Sequence, residues 1–347
     1  MSTTVDTTPS TDPGRRRPDA RGVAGDLLRS RELAVLVVLL LLVAVATFKS
    51  NGFLTGDSWR DLLLTPSILL LLAAGQTMVL ITRNVDLSVA STLGLTAYAT
   101  GELMSSGQSP WVAALGGVAF GAFLGAINGV MIAFGRVPAL VITLGTSLAF
   151  RGFLLHWAGS DRVNASEMDS GFLALGTKQV LTIPVLTIIA LLVVVAVGYY
   201  LRTARSGREL YAIGSDPAAA ALFGLPIRQR VLGAFIASGA LAGLAGVFFA
   251  ARYGGVSSNA GQGIELQAIA AAVIGGVAIF GGSGSVWGAA IGAFLLVTID
   301  RVLPILGVPD FYQQAVVGGL IIGAVVLDRF LASRAEHRLV AEREVTP

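Results

Sequence analysis

Residues 206–230 read SGRELYAIGSDPAAAALFGLPIRQR and form the longest interior run that a lipid bilayer would not accept. Within this run Asp216 and Pro217 are typical of a helix start, because Asp accepts hydrogen bonds from free backbone N–H groups and Pro fits the first helical position. Gly224 supplies a left-handed helix end, and Pro226 prevents the helix from resuming. The pattern predicts a short helix of about two turns.

The predicted helix carries two adjacent apolar side chains, Leu222 and Phe223, and the run that contains it has arginines on both sides. A polar insertion of this kind in an apolar chain is typical of a surface that binds a soluble partner. We therefore expect this helix to contact a separate protein.

The composition indicates a membrane protein. Of the 347 residues, 54% are hydrophobic and 13% are charged, whereas soluble domains carry roughly 25% charged residues. The 43 glycines suit helices that approach closely in lipid. The absence of cysteine excludes disulfides and thiolate chemistry. These features predict an all-α polytopic membrane protein.

Apolar segments suggest about ten transmembrane helices, at 33–48, 63–82, 87–105, 111–135, 138–157, 180–201, 230–250, 266–282, 285–303 and 313–329. With the N-terminus in the cytoplasm, seventeen of the 24 Lys and Arg residues fall in cytoplasmic segments, which is the bias that the positive-inside rule expects. We predict a multi-pass protein of the cytoplasmic membrane with both termini in the cytoplasm.

The chain divides into three parts on this topology. Residues 1–32 are predicted to be a disordered, basic cytoplasmic segment, residues 33–330 a transmembrane domain with a cytoplasmic loop at 202–230, and residues 331–347 a cytoplasmic tail. The basic run Arg15–Arg17 also fits a patch for nucleic acid or anionic lipid, but topogenic charge explains it more simply. We expect membrane lipid and no nucleic acid among the partners.

Glycines recur every four residues in two predicted spans, at Gly117, Gly121, Gly125 and Gly129 and again at Gly284, Gly288 and Gly292. Such ridges allow close helix packing, either inside one subunit, which we favour, or between two copies. The segments 81–91 and 279–289 also resemble one another weakly, which suggests two related halves.

No catalytic residue, metal ligand or cofactor site is predicted. The segment Gly171–Lys178 has the glycine spacing of a phosphate-binding loop, but its Lys and Thr stand in the wrong order. The histidines His156 and His337 lack nearby partners for a zinc site.

Polar residues within apolar surroundings are the candidates for a solute pathway, because each costs several kcal/mol in lipid unless it is satisfied. These candidates are Asn84, Asp86, Ser88, Thr143, Arg151 and Glu265. Asp86 could instead fix a break between spans, and Arg151 could form a structural ion pair. The few ionisable residues do not form a proton relay, which argues against ion-coupled transport and favours an external energy source.

Several motifs resemble the ribose-type permeases of carbohydrate ATP-binding-cassette importers, in consistent order from about residue 33 to 330. They are GQTMVLITRNVDLSV (75–89), TLGT (143–146) with Arg151 and Gly152, GRELYAIG (207–214), ELQAIAAAVIGG (265–276) and GGSGSV (281–286). The variant at Thr82–Asp86 is closer to permeases for rhamnose or for the sugar-like autoinducer signal than to those for ribose.

The resemblance implies a type II importer permease with a cytoplasmic coupling helix that docks on an ATPase. The residues it assigns to coupling are Gly207, Arg208, Tyr211, Gly214, Asp216, Pro217, Ala219, Leu222, Phe223 and Gly224. The implied partners are cytoplasmic ATP-binding subunits, an extracytoplasmic sugar-binding protein and a second permease copy or paralogue. The implied solute is a monosaccharide; the alternatives are a permease for branched-chain amino acids or the autoinducer, a stand-alone secondary transporter, and a membrane scaffold.

Overall fold

The computed structural model describes residues 31–50, 52–309 and eight further positions between 312 and 326. The α-helices in this part of the chain are α1 (Arg31–Lys49), α2 (Gly56–Leu64), α3 (Pro66–Ile81), α4 (Val89–Ser105), α5 (Pro110–Gly135), α6 (Ala139–Ala158), α7 (Ser170–Thr177), α8 (Val185–Thr203), α9 (Arg205–Ser215), α10 (Pro217–Leu222), α11 (Ile227–Tyr253), α12 (Ile264–Ile274) and α13 (Val286–Ile305). A 3-10 helix covers Ala165–Glu167.

Four strands of two residues each form two antiparallel pairs among the helices. They are β1 (Val163–Asn164) with β4 (Gly255–Val256), and β2 (Gln179–Val180) with β3 (Ile183–Pro184). Apart from these strands, all regular secondary structure in the described chain is helical, so the predicted all-α class is confirmed.

Seven helical runs in the described residues are long and apolar enough to cross a membrane. They are α1, α2 joined to α3, α5, α6, α8, α11 and α13. Each matches one of the ten predicted spans, which is roughly consistent with the predicted number. The predicted span 313–329 lies largely outside the described residues, as do almost all of the segment 1–32 and the whole tail 331–347.

The remaining two predicted spans are shorter helices. The span predicted at 87–105 is α4, with 17 residues. The span predicted at 266–282 is wrong as a continuous helix, because α12 has only 11 residues and ends at Ile274. The chain after it adopts positive φ at Gly276, Gly281, Gly282 and Gly284, a conformation that cannot continue a right-handed helix.

Helix α3 occupies the centre of the bundle. All sixteen of its residues are buried, and it packs against α8, α11, α12 and α13. A helix that is apolar around its whole circumference needs such a position. The three polar side chains on α3, those of Ser67, Gln76 and Thr77, are therefore held in the protein interior.

The first glycine ridge packs α5 against α11. A Cβ atom on Gly121 would lie 2.3 Å from the carbonyl oxygen of Gly239, and a Cβ on Gly239 would lie 2.3 Å from the carbonyl of Gly121. The second ridge behaves alike, since a Cβ on Gly288 of α13 would lie 1.9 Å from the carbonyl of Gly275. Both ridges therefore pack inside one subunit, as we favoured.

Other helices expose apolar side chains to the surroundings of the bundle. Helix α1 exposes Leu40, Leu41 and Phe48, and α6 exposes Leu144 and Leu148. Side chains of this kind on membrane-length helices fit contact with lipid chains or with another apolar surface.

The short helices α9 and α10 lie at one end of the bundle, which we call the α10 end. Gly214 of α9 lies against the last residue of α3, Ile81. Helix α7 lies at the opposite end, where Arg60 donates a hydrogen bond to the carbonyl of Gly176 at 3.5 Å. One end of the bundle thus carries α9 and α10, and the other end carries α7.

Candidate functional site

Helix α10 is the element predicted from residues 206–230, and its predicted ends are confirmed. The Asp216 carboxylate accepts hydrogen bonds from the amides of Ala218 and Ala219 at 2.9 and 3.0 Å. Pro217 takes the first helical position, and Gly224 has φ of +74°. The local sequence therefore suffices to define this helix.

Two apolar side chains at the end of α10 project from the protein. Leu222 is 89% exposed and Phe223 is 85% exposed, while Ala220 of the same helix is buried. Adjacent large apolar side chains with this exposure are a small contact surface that a partner protein can cover.

Helix α9 attaches α10 to the bundle through its buried face. Gly207, Leu210, Ile213 and Gly214 are buried, so α9 presents one packed side and one polar side. A Cβ on Gly214 would lie 1.7 Å from the carbonyl oxygen of Ile81. Only glycine permits α9 to approach the end of α3 this closely.

An ion pair holds α9 to α11. The Glu209 carboxylate, which is buried, accepts hydrogen bonds from Arg205 at 2.8 Å and from Arg230 of α11 at 2.5 Å. The hydrogen bond from Arg230 lowers the pKa of Glu209 most, burial opposes this effect, and the bond from Arg205 adds to it. The carboxylate is thereby stabilised in its charged form.

Tyr211 connects α9 to the loop before α13. Its hydroxyl donates a hydrogen bond to the carbonyl of Gly284 at 3.0 Å, and burial raises the pKa of the Tyr211 phenol. Arg208 instead donates to the carbonyl of Thr203. Both side chains border a cleft of about 500 Å³ that Trp287 also lines.

The polar group predicted around Asp86 is a buried cluster. The Asp86 carboxylate accepts hydrogen bonds from the amide and hydroxyl of Ser88 at 3.0 and 2.6 Å and from the hydroxyl of Ser238 at 3.2 Å. The amide of Asn128 donates to the hydroxyl of Ser88 at 2.7 Å, and that of Gln76 donates to the carbonyl of Asp86. We call these five residues the Asp86 cluster.

The Asp86 cluster lies inside the bundle. Ser238 stands eleven residues after the start of α11, which corresponds to about 16 Å along the helix axis. Asp86 is 1% exposed. The carboxylate also does not occupy the N-cap of α4, which is Ser88, but binds the N-cap residue. In this conformation Asp86 therefore faces protein groups and fixes the break between α3 and α4.

Two side-chain oxygens of the cluster accept no hydrogen bond from the described residues. They are Oε1 of Gln76 and Oδ1 of Asn128, and both are buried. Each can accept a hydrogen bond from a hydroxyl group.

The other pathway candidates lie at different places. Thr143 donates to the carbonyl of Val85 at 3.2 Å and so joins the same turn as Asp86. Asn84 lines a cleft at the α10 end together with Arg136 and Arg228.

Arg151 of α6 binds backbone rather than a carboxylate. Its guanidinium donates to the carbonyls of Ser258 and Ala260 at 3.0 and 2.9 Å, and Glu265 in the first turn of α12 interacts with it electrostatically. Arg151 thus holds the loop that precedes the short helix α12.

The structure brings Asp86, Ser88 and Thr143 together and places Arg151 with Glu265 elsewhere. Sequence reasoning missed Gln76, Asn128 and Ser238, although each is a polar residue within a predicted span. Their polarity is visible in the sequence, but the sequence does not show that Gln76 and Ser238 bond to Asp86 or that Asn128 bonds to Ser88. No group of three or more His, Cys, Asp or Glu side chains in the described part of the chain could hold a metal ion.

Comparison with known proteins identifies the family of the chain. The family model described as branched-chain amino acid transport system / permease component matches residues 59–325. The chain is 36% identical over 302 residues to the autoinducer 2 import system permease protein LsrC of Enterobacter sp. (strain 638), covering 87% of this chain and 88% of that protein. It is 37% identical over 297 residues to the D-allose transport system permease protein AlsC of Escherichia coli (strain K12), covering 85% and 90%.

No solved structure matches the chain. The family match and the two relatives confirm the resemblance to importer permeases that the motifs predicted, and the relatives are transport subunits. The chain belongs to the permease-component family of branched-chain amino acid transport systems, and it is a multi-pass inner-membrane protein.

Proposed function

We propose that this protein is the membrane-spanning subunit of an ATP-driven importer that moves a monosaccharide or a sugar-like signal into the cytoplasm. The observation that carries the proposal is α10, a capped helix with Leu222 and Phe223 exposed at its end. A transport bundle that catalyses no chemistry itself needs a surface through which a separate energy source acts.

Helix α10 is the proposed coupling helix, and cytoplasmic ATP-binding subunits are the proposed partners. The coupling residues divide by role in the structure. Asp216, Pro217, Ala219 and Gly224 shape the helix, Leu222 and Phe223 form its exposed surface, and the α9 residues Gly207, Arg208, Tyr211 and Gly214 attach it to the bundle.

This role fixes the proposed orientation. The α10 end faces the cytoplasm, and the ends of the chain at 1–32 and 331–347 lie on the same side. Under this orientation seventeen of the 24 Lys and Arg residues of the whole sequence lie in cytoplasmic segments, in keeping with the positive-inside rule. The opposite end then faces the proposed extracytoplasmic binding protein, and a second permease copy or paralogue completes the transmembrane part.

The proposed solute is small and polyhydroxylated. The relatives are named for autoinducer 2 and D-allose, which suits the resemblance to rhamnose and autoinducer permeases. The Asp86 cluster and Thr143 offer hydroxyl, amide and carboxylate groups, and the free oxygens of Gln76 and Asn128 can accept bonds from solute hydroxyls. These residues would meet the solute only when the bundle opens, as would Asn84, Arg151 and Glu265 along the same proposed pathway.

A branched-chain amino acid is the second candidate solute, because the description of the matching family names it. An apolar amino acid would gain little from buried hydroxyl and amide acceptors, whereas its charged ends would need ionic partners. A permease for sugar-like solutes and a permease for branched-chain amino acids should therefore differ in which of these solutes they take up.

Uptake into proteoliposomes tests the proposal. The protein would be reconstituted with the ATP-binding subunit and the solute-binding protein encoded beside it, and supplied in turn with autoinducer 2, D-allose, L-rhamnose and leucine. We expect ATP-dependent uptake of at least one of the first three and none of leucine. ATP-independent uptake would contradict the proposal, as would uptake of leucine alone.

A further inference from the structure

The turn between α3 and α4 contains an arginine that binds the end of α9. Arg83 has φ of +65°, and its guanidinium donates hydrogen bonds to the carbonyls of Gly214 and Ser215, the second at 2.6 Å. These carbonyls belong to the last residues of α9 and have no partner within the helix. A cation at this position also interacts favourably with the helix dipole.

The next residue after these carbonyls is Asp216, the N-cap of α10. Arg83 therefore holds the junction between the two helices, directly before the segment that carries the exposed Leu222 and Phe223. Only Asp216 separates Ser215 from the first residue of α10, so a displacement of α10 moves this junction directly.

The backbone around Arg83 is packed too tightly for the ends of α3 and α9 and the loop before α13 to slide past one another. The carbonyl of Ile81 accepts a hydrogen bond from the amide of Gly282 at 2.9 Å. A Cβ on Gly281 would lie 2.4 Å from Cγ of Arg83, and a Cβ on Gly282 would lie 2.7 Å from Cα of Ser215. The ends of α3 and α9 and the loop before α13 are thus in direct backbone contact.

The other end of the same turn is anchored in the core. Asp86 follows Arg83 by three residues, and its carboxylate is bonded to Ser238 of α11. Through Ser88 the bonds continue to Asn128 of α5. The turn therefore joins α9, at the surface, to α5 and α11, the two helices that the first glycine ridge packs together.

We propose that Arg83 is the positioning residue that transmits movement of α10 to the Asp86 cluster. The inference rests on the proposed function and adds the part through which ATP-driven movement enters the bundle. Arg83 itself does not contact the solute. It acts because one planar guanidinium binds two carbonyls of the moving element, while its backbone is continuous with the buried carboxylate.

The test compares Arg83→Gln, Arg83→Lys and Arg136→Gln in the complete reconstituted complex. Arg136 is a matched control, because it also follows a helix at the α10 end with a left-handed backbone, φ of +57°. No hydrogen bond among the described residues joins it to α9 or α10. Three quantities are measured: the amount of ATPase that co-purifies, the rate of ATP hydrolysis, and solute uptake per ATP hydrolysed, with whichever solute the wild type transports.

We expect Arg83→Gln to retain the ATPase and hydrolyse ATP but to lose about tenfold or more of its uptake per ATP, the size of a typical coupling between sites. Arg83→Lys, which keeps the charge but not the two-carbonyl geometry, should fall between this variant and the wild type. Arg136→Gln should equal the wild type. A merely structural loss would reduce the amount of complex and leave uptake per ATP unchanged.

Wild-type uptake per ATP in Arg83→Gln would overturn the inference. If that variant does not assemble, Arg83→Lys decides, and a wild-type ratio in it would count equally against Arg83. Failure of the wild-type complex to take up any of the tested solutes would instead count against the proposed function.

Discussion

Gly214 shows how much one residue contributes to this fold. The position that its Cβ would occupy lies 1.7 Å from the Ile81 carbonyl and 2.6 Å from the amide of Gly282. The motif GRELYAIG singled out Gly214 by resemblance. Its physical reason is an approach by chain segments more than sixty residues away, which no local pattern contains.

A Gly214→Ala substitution should destabilise the protein, because overpacking a close contact costs roughly 1–3 kcal/mol. The measurement is thermal unfolding of the purified protein in detergent. Gly145→Ala is the control, since that glycine lies inside α6 with nothing within 4 Å of its Cβ position. The control should keep or raise the melting temperature, and equal effects of the two changes would contradict this account of Gly214.

How well a residue's contacts can be predicted from the sequence depends on how far along the chain its partners lie. The sequence correctly identifies Asp216 as a cap, because its partners Ala218 and Ala219 follow it within three residues. It also identifies Asp86 as a polar residue at a break, but it cannot identify Ser238, 152 residues away, as the partner of Asp86. Hydrogen bonds between neighbouring residues can be predicted from the sequence, whereas hydrogen bonds between distant residues depend on how the helices pack.

Among the elements, α9 and α12 show what hydropathy does and does not reveal. The apolar run 266–282 predicted one span, but the chain leaves the helix after Ile274 because the following glycines adopt left-handed backbone. A sliding average of hydropathy treats glycine as a neutral residue and so misses the break. By contrast, hydropathy places α9 outside the membrane correctly, because α9 belongs to the polar run 206–230 that a bilayer would not accept.

The ion pair of Glu209 should determine how firmly α9 holds to α11. Because the folded-state pKa of Glu209 lies below the ordinary value of 4.5, the carboxylate contributes stability that is present above that value. This contribution is lost as the pH falls through the lowered folded-state pKa. Wild type should therefore melt above Glu209→Gln at pH 7, and the difference should shrink below pH 4.5.

The control for this measurement is Glu102→Gln in α4, near the opposite end, where the described residues show no salt bridge to the carboxylate. Its melting difference from wild type should be small at either pH. A difference for Glu209→Gln that stays constant from neutral to acidic pH would show that the ion pair does not stabilise the α9 contact.

At the scale of the molecule, the two proposed tasks, coupling to the ATPase and receiving the solute, belong to opposite ends of the bundle. The α10 end presents arginines and the short helix, while the opposite end presents α7 and the strand pairs β1–β4 and β2–β3. Between them the buried α3 and the turn at Arg83 and Asp86 connect one end to the interior. This arrangement suits a bundle that is driven from one face and receives its solute at the other.

The most direct measurement uses a variant that carries both Leu222→Asp and Phe223→Asp. It determines how much of the ATP-binding subunit encoded beside this protein co-purifies with the variant. These exposed side chains do not support the fold, so the variant should remain folded but lose the ATPase by at least about tenfold, as expected when central apolar contacts are removed. Leu181→Asp is the control, because Leu181 is 91% exposed at the opposite end. It should retain the ATPase. Undiminished co-purification with the double variant would contradict the assignment of α10 as the coupling helix.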